Sequence, residues 1–254
     1  MKKAFYFKVA SFIIFICLLC VGFCGCTNTQ NWVNKISEKA IKTNVTIHVK
    51  SYNTNLLGEE SQSQTYFGSG VIYYQYQRTY YCLTNNHVVF KPSKYQKRSV
   101  TVTDCYGNEY NATVVESDAK FDLAVLSFYA PDKVFVPLPL ALQNPKVNEN
   151  IAALGQPMGQ INCLTIGKVF ALQQVTLASN NINFSDVDFK VIYHNAPINT
   201  GSSGGALIND KLEIVGINYA ILFNEIDNSF RFGCAIPVEK IREFLNNNHL
   251  LFNN

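Results

Sequence analysis

The sequence has no acidic residue before Glu38 and no charge of either sign between Lys8 and Lys35. A run so poor in charge is not a solvated surface segment. With Lys2, Lys3 and Lys8 ahead of an apolar stretch from Val9 to Phe23, residues 1–25 read as a secretory leader outside the fold. Once those three lysines are set aside, the twenty-one basic residues become eighteen, matching the eighteen acidic ones. The remaining chain therefore lacks the basic stripe a nucleic-acid binder needs, and equally any acidic face for a polycation. Of the eight cysteines, the four beyond the leader and Cys26 lack metal-ligand spacing. Cys17, Cys20 and Cys24 fall in the leader, so their spacing is no redox motif. Cys82, Cys105, Cys163 and Cys234 lie far apart and read as buried free thiols. No metal or organic cofactor is implied.

The leader closes on Phe23-Cys24-Gly25-Cys26, with a small residue before a cysteine. That ending resembles a bacterial lipobox with Phe23 in place of the usual leucine, and Cys26 would then carry lipid. The alternative is an uncleaved membrane anchor, since Val9 to Cys26 approaches spanning length. Either way the lysines hold the N-terminus inside, and the rest of the chain is expected outside, attached to the cell membrane.

What remains is rich in strand formers, and 254 residues allow one large all-β domain or two small ones. Thr27 to Asn31 reads as a polar tether. Trp32, Ile36 and Ala40 recur at helical spacing, which predicts a short helix over Asn31 to Lys42. Val45 to Val49 alternates as a first strand, with His48 on its surface. Ser51 to Thr65 holds few large apolar residues and reads as an exposed, mobile loop. Gly68-Ser69-Gly70 opens the next strand, and a hairpin around residues 76–79 returns through Tyr80 to Leu83. Lys91 to Arg98 reads as a solvated connection. Tyr106-Gly107-Asn108 marks a second hairpin. Residues 131–145 carry four prolines and read as a linker between two similar β halves. In the second half short strands are expected near 150–154, 166–172, 187–194, 213–219 and 230–235, with a turn at Gly155 to Gly159. Pro237 then opens a helix whose apolar face is Val238, Ile241, Phe244 and Leu245. Many short strands separated by turns point to barrels or sandwiches, not a parallel sheet. The expected segments are 1–25 leader, 26–44 tether and helix, 45–130 first β unit, and 131–254 second β unit with the final helix.

The densest chemistry lies in Asn199-Thr-Gly-Ser-Ser-Gly-Gly-Ala-Leu207. So much glycine is wrong for a helix interior but suits a tight loop whose N–H groups converge on one spot. A serine there needs a base, and the base needs an orienting group. His87 follows a strand in Leu83-Thr-Asn-Asn-His-Val-Val89, and Asp122 stands directly before the apolar Leu123-Ala-Val-Leu126. The order His, Asp, Ser is that of the chymotrypsin-like barrels. Ser202 competes with Ser203, but Ser203 directly precedes Gly204-Gly205. Asp118 competes with Asp122, but only Asp122 abuts the apolar strand. His194, near the serine in sequence, reads as a core or cleft-wall residue.

Together TNNHVV, FDLAVL and INTGSSGGAL resemble the three catalytic motifs of trypsin-like serine proteases of the HtrA type. ALGQPMG, IVGINYA and CAIP resemble further segments in the same order, so the likeness runs from about Val45 to Leu245. The resemblance implies an all-β fold of two six-stranded antiparallel barrels, with the short N-terminal and C-terminal helices beside them. It implies that His87 is the general base, Asp122 its orienting group and Ser203 the nucleophile. The N–H groups of Gly201 and Ser203 would form an oxyanion hole, and Ile217, Asn218, Tyr219 and Ala220 would supply a pocket wall. Polypeptide substrates follow, in protein quality control or processing, and homo-oligomers occur among such relatives. Ser202 replaces the usual asparagine, and being uncharged it cannot take a salt bridge from a freed N-terminus. His194-Asn195 stands where Thr-Asp is frequent. The chain ends soon after the last helix, so no PDZ-like domain is expected. The rival readings are a protease-fold lipoprotein that only binds a partner, and a chaperone-like form that holds unfolded chains.

Overall fold

A computed structural model of the chain describes residues 26–156, 163–175, 187–224, 226–227 and 229–252. The leader and residues 157–159 of the expected turn lie outside them. Among the described residues twelve strands form two closed barrels. The first contains β1 (Asn44–Thr54), β2 (Glu60–Tyr76), β3 (Thr79–Thr84), β4 (Lys97–Thr103), β5 (Glu109–Asp118) and β6 (Leu123–Tyr129). The second contains β7 (Asn150–Gly155), β8 (Cys163–Gln173), β9 (Val191–His194), β10 (Ala206–Ile208), β11 (Ile214–Phe223) and β12 (Phe230–Pro237). Every pairing within a barrel is antiparallel. The first closes in the order β1-β2-β3-β6-β5-β4, and the second repeats it as β7-β8-β9-β12-β11-β10. Closure leaves no free sheet edge.

The strands beside the seam are apolar on both faces, and their period of two sorts the residues. Along β6, Ala124, Leu126 and Phe128 fill the first barrel, while Leu123 and Val125 join a third cluster between the barrels. Along β7, Ile151 and Ala153 fill the second barrel, and Ala152 and Leu154 face the seam. The seam cluster also takes Trp32, Ile36 and Ala40 from the N-terminal helical stretch, and Ile241, Phe244 and Leu245 from the last helix. Each such side chain is worth about 1.5–3 kcal/mol on burial, so the barrels are welded by a core of their own. The proline-rich linker adds a polar stitch. Leu138 N–H donates to Ile72 of β2, and Ile214 N–H of β11 donates to Pro139.

Two local expectations need correction. Thr27 to Asn31 is not a tether but part of α1 (Cys26–Lys35), which continues through a π turn, Ile36–Ala40, and a 3-10 turn, Ile41–Thr43. Nor is Ser51 to Thr65 a mobile loop. β1 and β2 stay paired from Lys50↔Thr65 to Asn53↔Gln62, and only Asn55–Glu59 turns. Its Ser, Thr, Gln and Tyr residues hold a ladder without apolar partners because backbone hydrogen bonds, not burial, pair exposed strands. The Gly-Ser-Gly run accordingly lies inside β2. The final helix, α3 (Val238–Asn247), buries Val238, Ile241, Phe244 and Leu245. Among the described residues no disulfide forms. Cys82 and Cys234 are buried, whereas Cys105 and Cys163 are half-exposed, against the expectation of four buried thiols. No helix of the described residues is long and apolar enough to cross a membrane.

Candidate active site

His87 sits on one helical turn, α2 (Asn86–Val89), that follows β3 without a break wide enough to drift. Val88 and Val89 bury into the first barrel, which turns the imidazole toward the groove between the barrels. Asp122 is wholly buried and adopts φ +49°, a left-handed conformation rare for a residue with a Cβ. That turn directs both carboxylate oxygens at one residue. Oδ2 lies 2.7 Å from His87 Nδ1, and Oδ1 accepts the His87 backbone N–H at 2.9 Å. The ring is thereby fixed in orientation with Nδ1 as donor, leaving Nε2 able to accept a proton. Asn85 Nδ2 holds the Asp122 carbonyl at 2.9 Å. Asp118 instead accepts the N–H of Lys120.

The serine loop joins β9 to β10. Ser202 N–H donates to Asn199 O at 2.8 Å, closing a four-residue turn with Gly201 third at φ +97°. A type II turn demands that sign of φ there, and glycine supplies it without strain. Ser202 is buried, and its Oγ accepts the N–H of Asn199. Ser203 is half-buried and lines the same cleft as His87. Gly204 is the second position where glycine is obligatory: φ is +85°, and a Cβ would lie 2.1 Å from the Ser69 carbonyl. Around this loop nearly every backbone group is used. Gly204 N–H donates to Asn218 O, Asn218 N–H to Gly205 O, and Gly205 N–H to Ser202 O. Among the described residues the N–H groups of Gly201 and Ser203 have no acceptor, and they flank the cleft.

The cleft has a volume of ≈ 440 Å³. Tyr66, Phe67, Val88 and Phe90 wall it on the first barrel, and Ala220, Ile221 and Phe223 on the second. Of the residues expected as a pocket wall, Ala220 lines it; Ile217, Asn218 and Tyr219 are wholly buried. The expected run is displaced along β11, toward Ile221 and Phe223. Among the described residues, His87 is the one ionisable side chain on the wall apart from Tyr66.

His194 is wholly buried on β9, its Nε2 3.1 Å from Asn218 Oδ1. Burial lowers its pKa to about 4, despite the opposing bond to Asn218, so it is neutral at ordinary pH. Next to it, Asn195 Oδ1 accepts the N–H of Lys168, a bond that supports β8. Cys82 and Cys234 are pushed up to about 12 by burial, which leaves them inert as nucleophiles.

Sequence reasoning passed over Asn85 and Ser69. Asn85 stood beside the histidine it supports but was hidden in a motif dominated by that histidine. Ser69, between two glycines in a strand, carried a signal: glycine inside a strand marks the close approach of another backbone. The aromatic wall was also missed, because Phe67 and Phe90 are far apart in sequence and each reads as an ordinary β residue.

A family model for the trypsin-like peptidase domain matches residues 68–217. The chain is 29% identical over 229 residues to a serine protease HtrA-like protein of Staphylococcus epidermidis, covering 87% of this chain and 38% of that one. It is 34% identical over 194 residues to the periplasmic pH-dependent serine endoprotease DegQ of Escherichia coli, covering 76% and 39%. With the serine protease HTRA1 of Xenopus tropicalis the identity is 32% over 167 residues, covering 66% and 33%. The chain thus spans roughly two fifths or less of the length of these relatives. Two barrels of repeated topology, a matched domain model across most of both, and this run of relatives place the chain in the trypsin-like peptidase domain family, alongside the HtrA-type serine proteases.

Proposed function

We propose that the chain is a serine endopeptidase that cleaves polypeptides through an acyl-enzyme, with Ser203 as nucleophile, His87 as general base and acid, and Asp122 as orienting group. The observation that carries this is the doubly held imidazole, 2.7 and 2.9 Å from Asp122, on the same cleft as Ser203 and two unspent N–H groups. In this mechanism His87 Nε2 takes the Ser203 proton as Oγ attacks the scissile carbonyl. Asp122 stabilises the resulting imidazolium without itself being protonated. The N–H groups of Gly201 and Ser203 hold the developing oxyanion. His87 then gives its proton to the leaving amine, and a water activated by the same imidazole releases the acyl group. The apolar cleft wall suits unfolded or extended polypeptide, in line with a quality-control or processing role.

A fluorophosphonate probe tests the reading: wild type labels and Ser203→Ala does not. Folded wild type that stays unlabelled would instead favour a protein that only binds. We also propose export with a lipid on Cys26, supported by a leader that sets three lysines ahead of an uncharged apolar run and by the periplasmic DegQ among the relatives. Mass spectrometry of the N-terminal peptide distinguishes lipidated Cys26 from an uncut leader.

A further inference from the structure

Ser69 is wholly buried within β2, and each of its polar groups is engaged with the serine loop or its surroundings. Its N–H donates to Ser203 O at 2.8 Å. Its Oγ donates to Gly201 O at 2.6 Å and accepts the N–H of Gln156 at 2.9 Å. Its carbonyl accepts Thr84 Oγ1 at 2.8 Å. The two carbonyls it holds belong to Gly201 and Ser203, the residues whose own N–H groups are unspent. A carbonyl lies in one rigid plane with the N–H of the next residue, so holding the Gly201 carbonyl fixes the Gly201–Ser202 peptide. From that anchored plane, the torsions the turn imposes at Gly201, φ +97° among them, set the preceding Thr200–Gly201 peptide and with it the direction of the Gly201 N–H.

The serine loop belongs to the second barrel and Ser69 to the first, so this hold crosses the seam. We propose that Ser69 is a positioning residue, a latch from the first barrel that keeps the Gly201 and Ser203 N–H groups aimed at the oxyanion site and makes that site dependent on docking of the two barrels. The inference rests on the reading of Ser203 as nucleophile given above. The side chain is the decisive part. Without Oγ the buried Gly201 carbonyl and the Gln156 N–H both lose their partner, and the Gly201–Ser202 peptide is left held by its bond to Asn199, beside a glycine whose torsions are the least restrained of any residue.

The test uses the full chain carrying Ser69→Ala. The expected result is a kcat lower by about 10- to 100-fold, short of the loss of a whole oxyanion donor, with KM within about twofold. Affinity for a peptide boronate, which makes the tetrahedral adduct on Ser203, should fall by the same factor. Affinity for the cleaved product peptide, which makes no such adduct, should hold. Ser69→Cys keeps the volume with a weaker donor and should fall between; it carries the test if the alanine chain does not fold. Wild-type kcat and boronate affinity in either variant would overturn the latch, as would equal losses of boronate and product affinity, the mark of general damage. Wild type that neither cleaves nor takes the fluorophosphonate would overturn the endopeptidase reading and the latch with it, a result distinct from an active enzyme indifferent to Ser69.

Discussion

Each barrel holds a histidine against an oxygen of another side chain, and the two could hardly be treated more differently. His87 of the first barrel keeps 12% of its side chain exposed and faces a wholly buried carboxylate. His194 of the second barrel is wholly buried and faces the amide of Asn218. A carboxylate can stabilise an imidazolium; an amide oxygen orients the ring but brings no countercharge. The first arrangement permits a ring that gains and loses a proton during a reaction. The second holds a neutral ring as part of a packed wall. Having a histidine near the serine in sequence says nothing of this. The group opposite the ring decides.

The sharpest way to break the comparison is to remove each ring. His87→Ala should lower kcat by about 10⁴- to 10⁶-fold with KM little changed, as loss of a triad member does. His194→Gln should leave kcat within about tenfold. Steady-state cleavage of a peptide substrate reads both, and comparable losses would erase the distinction. Exchanging the partner rather than the ring comes next. Asp122→Asn should cost about 10⁴-fold in kcat by favouring the wrong tautomer, while Asn218→Ala should cost far less.

The buried ring also makes the fold sensitive to pH. His194 has a folded pKa of about 4 against an ordinary 6.5. Between those values the unfolded chain binds a proton that the folded chain does not. Stability should therefore be unaffected above about pH 6.5 and fall as pH drops toward 4, by up to about 3 kcal/mol. Urea unfolding at pH 7 and 4.5 measures it, and His194→Gln should flatten that part of the curve. A smaller effect is expected at Asn85. Asn85→Ala leaves the Asp122 carbonyl without its donor, costing about 1–3 kcal/mol of stability and roughly tenfold in kcat, smaller than the loss for Asp122→Asn. The exposed Lys50–Glu60 pair closes the series: Lys50→Ala should change stability by no more than about 1 kcal/mol.

Much of the candidate site was legible before any fold was known. TNNHVV, FDLAVL and the glycine-rich serine loop each sit where a strand ends, and such positions are set by local rules of turn and strand chemistry. The double hold of Asp122 on His87 could not be read in this way, since it requires Asp122 to adopt φ +49° and Asn85 to pin its carbonyl. The pocket wall was misplaced along β11 for a related reason. Ile217 and Ile221 look alike in sequence, and β11 runs from the seam out to the cleft, so position along the strand separates a core residue from a lining one. The exposed end of the first hairpin was misread because its ladder is held by the backbone, which leaves little trace in side-chain hydrophobicity.

By itself the sequence determined the strand-rich class, the last helix and its buried face, and the three motifs that carry the proposed chemistry. These depend on short-range periodicity, on turn residues and on recognisable local runs. Tertiary structure alone decided which residues meet: Asp122 against His87, Asn218 against His194, and Ser69 against Gly201. Each of those contacts joins segments at least twenty-four residues apart, where only the closure and docking of two barrels sets the distance.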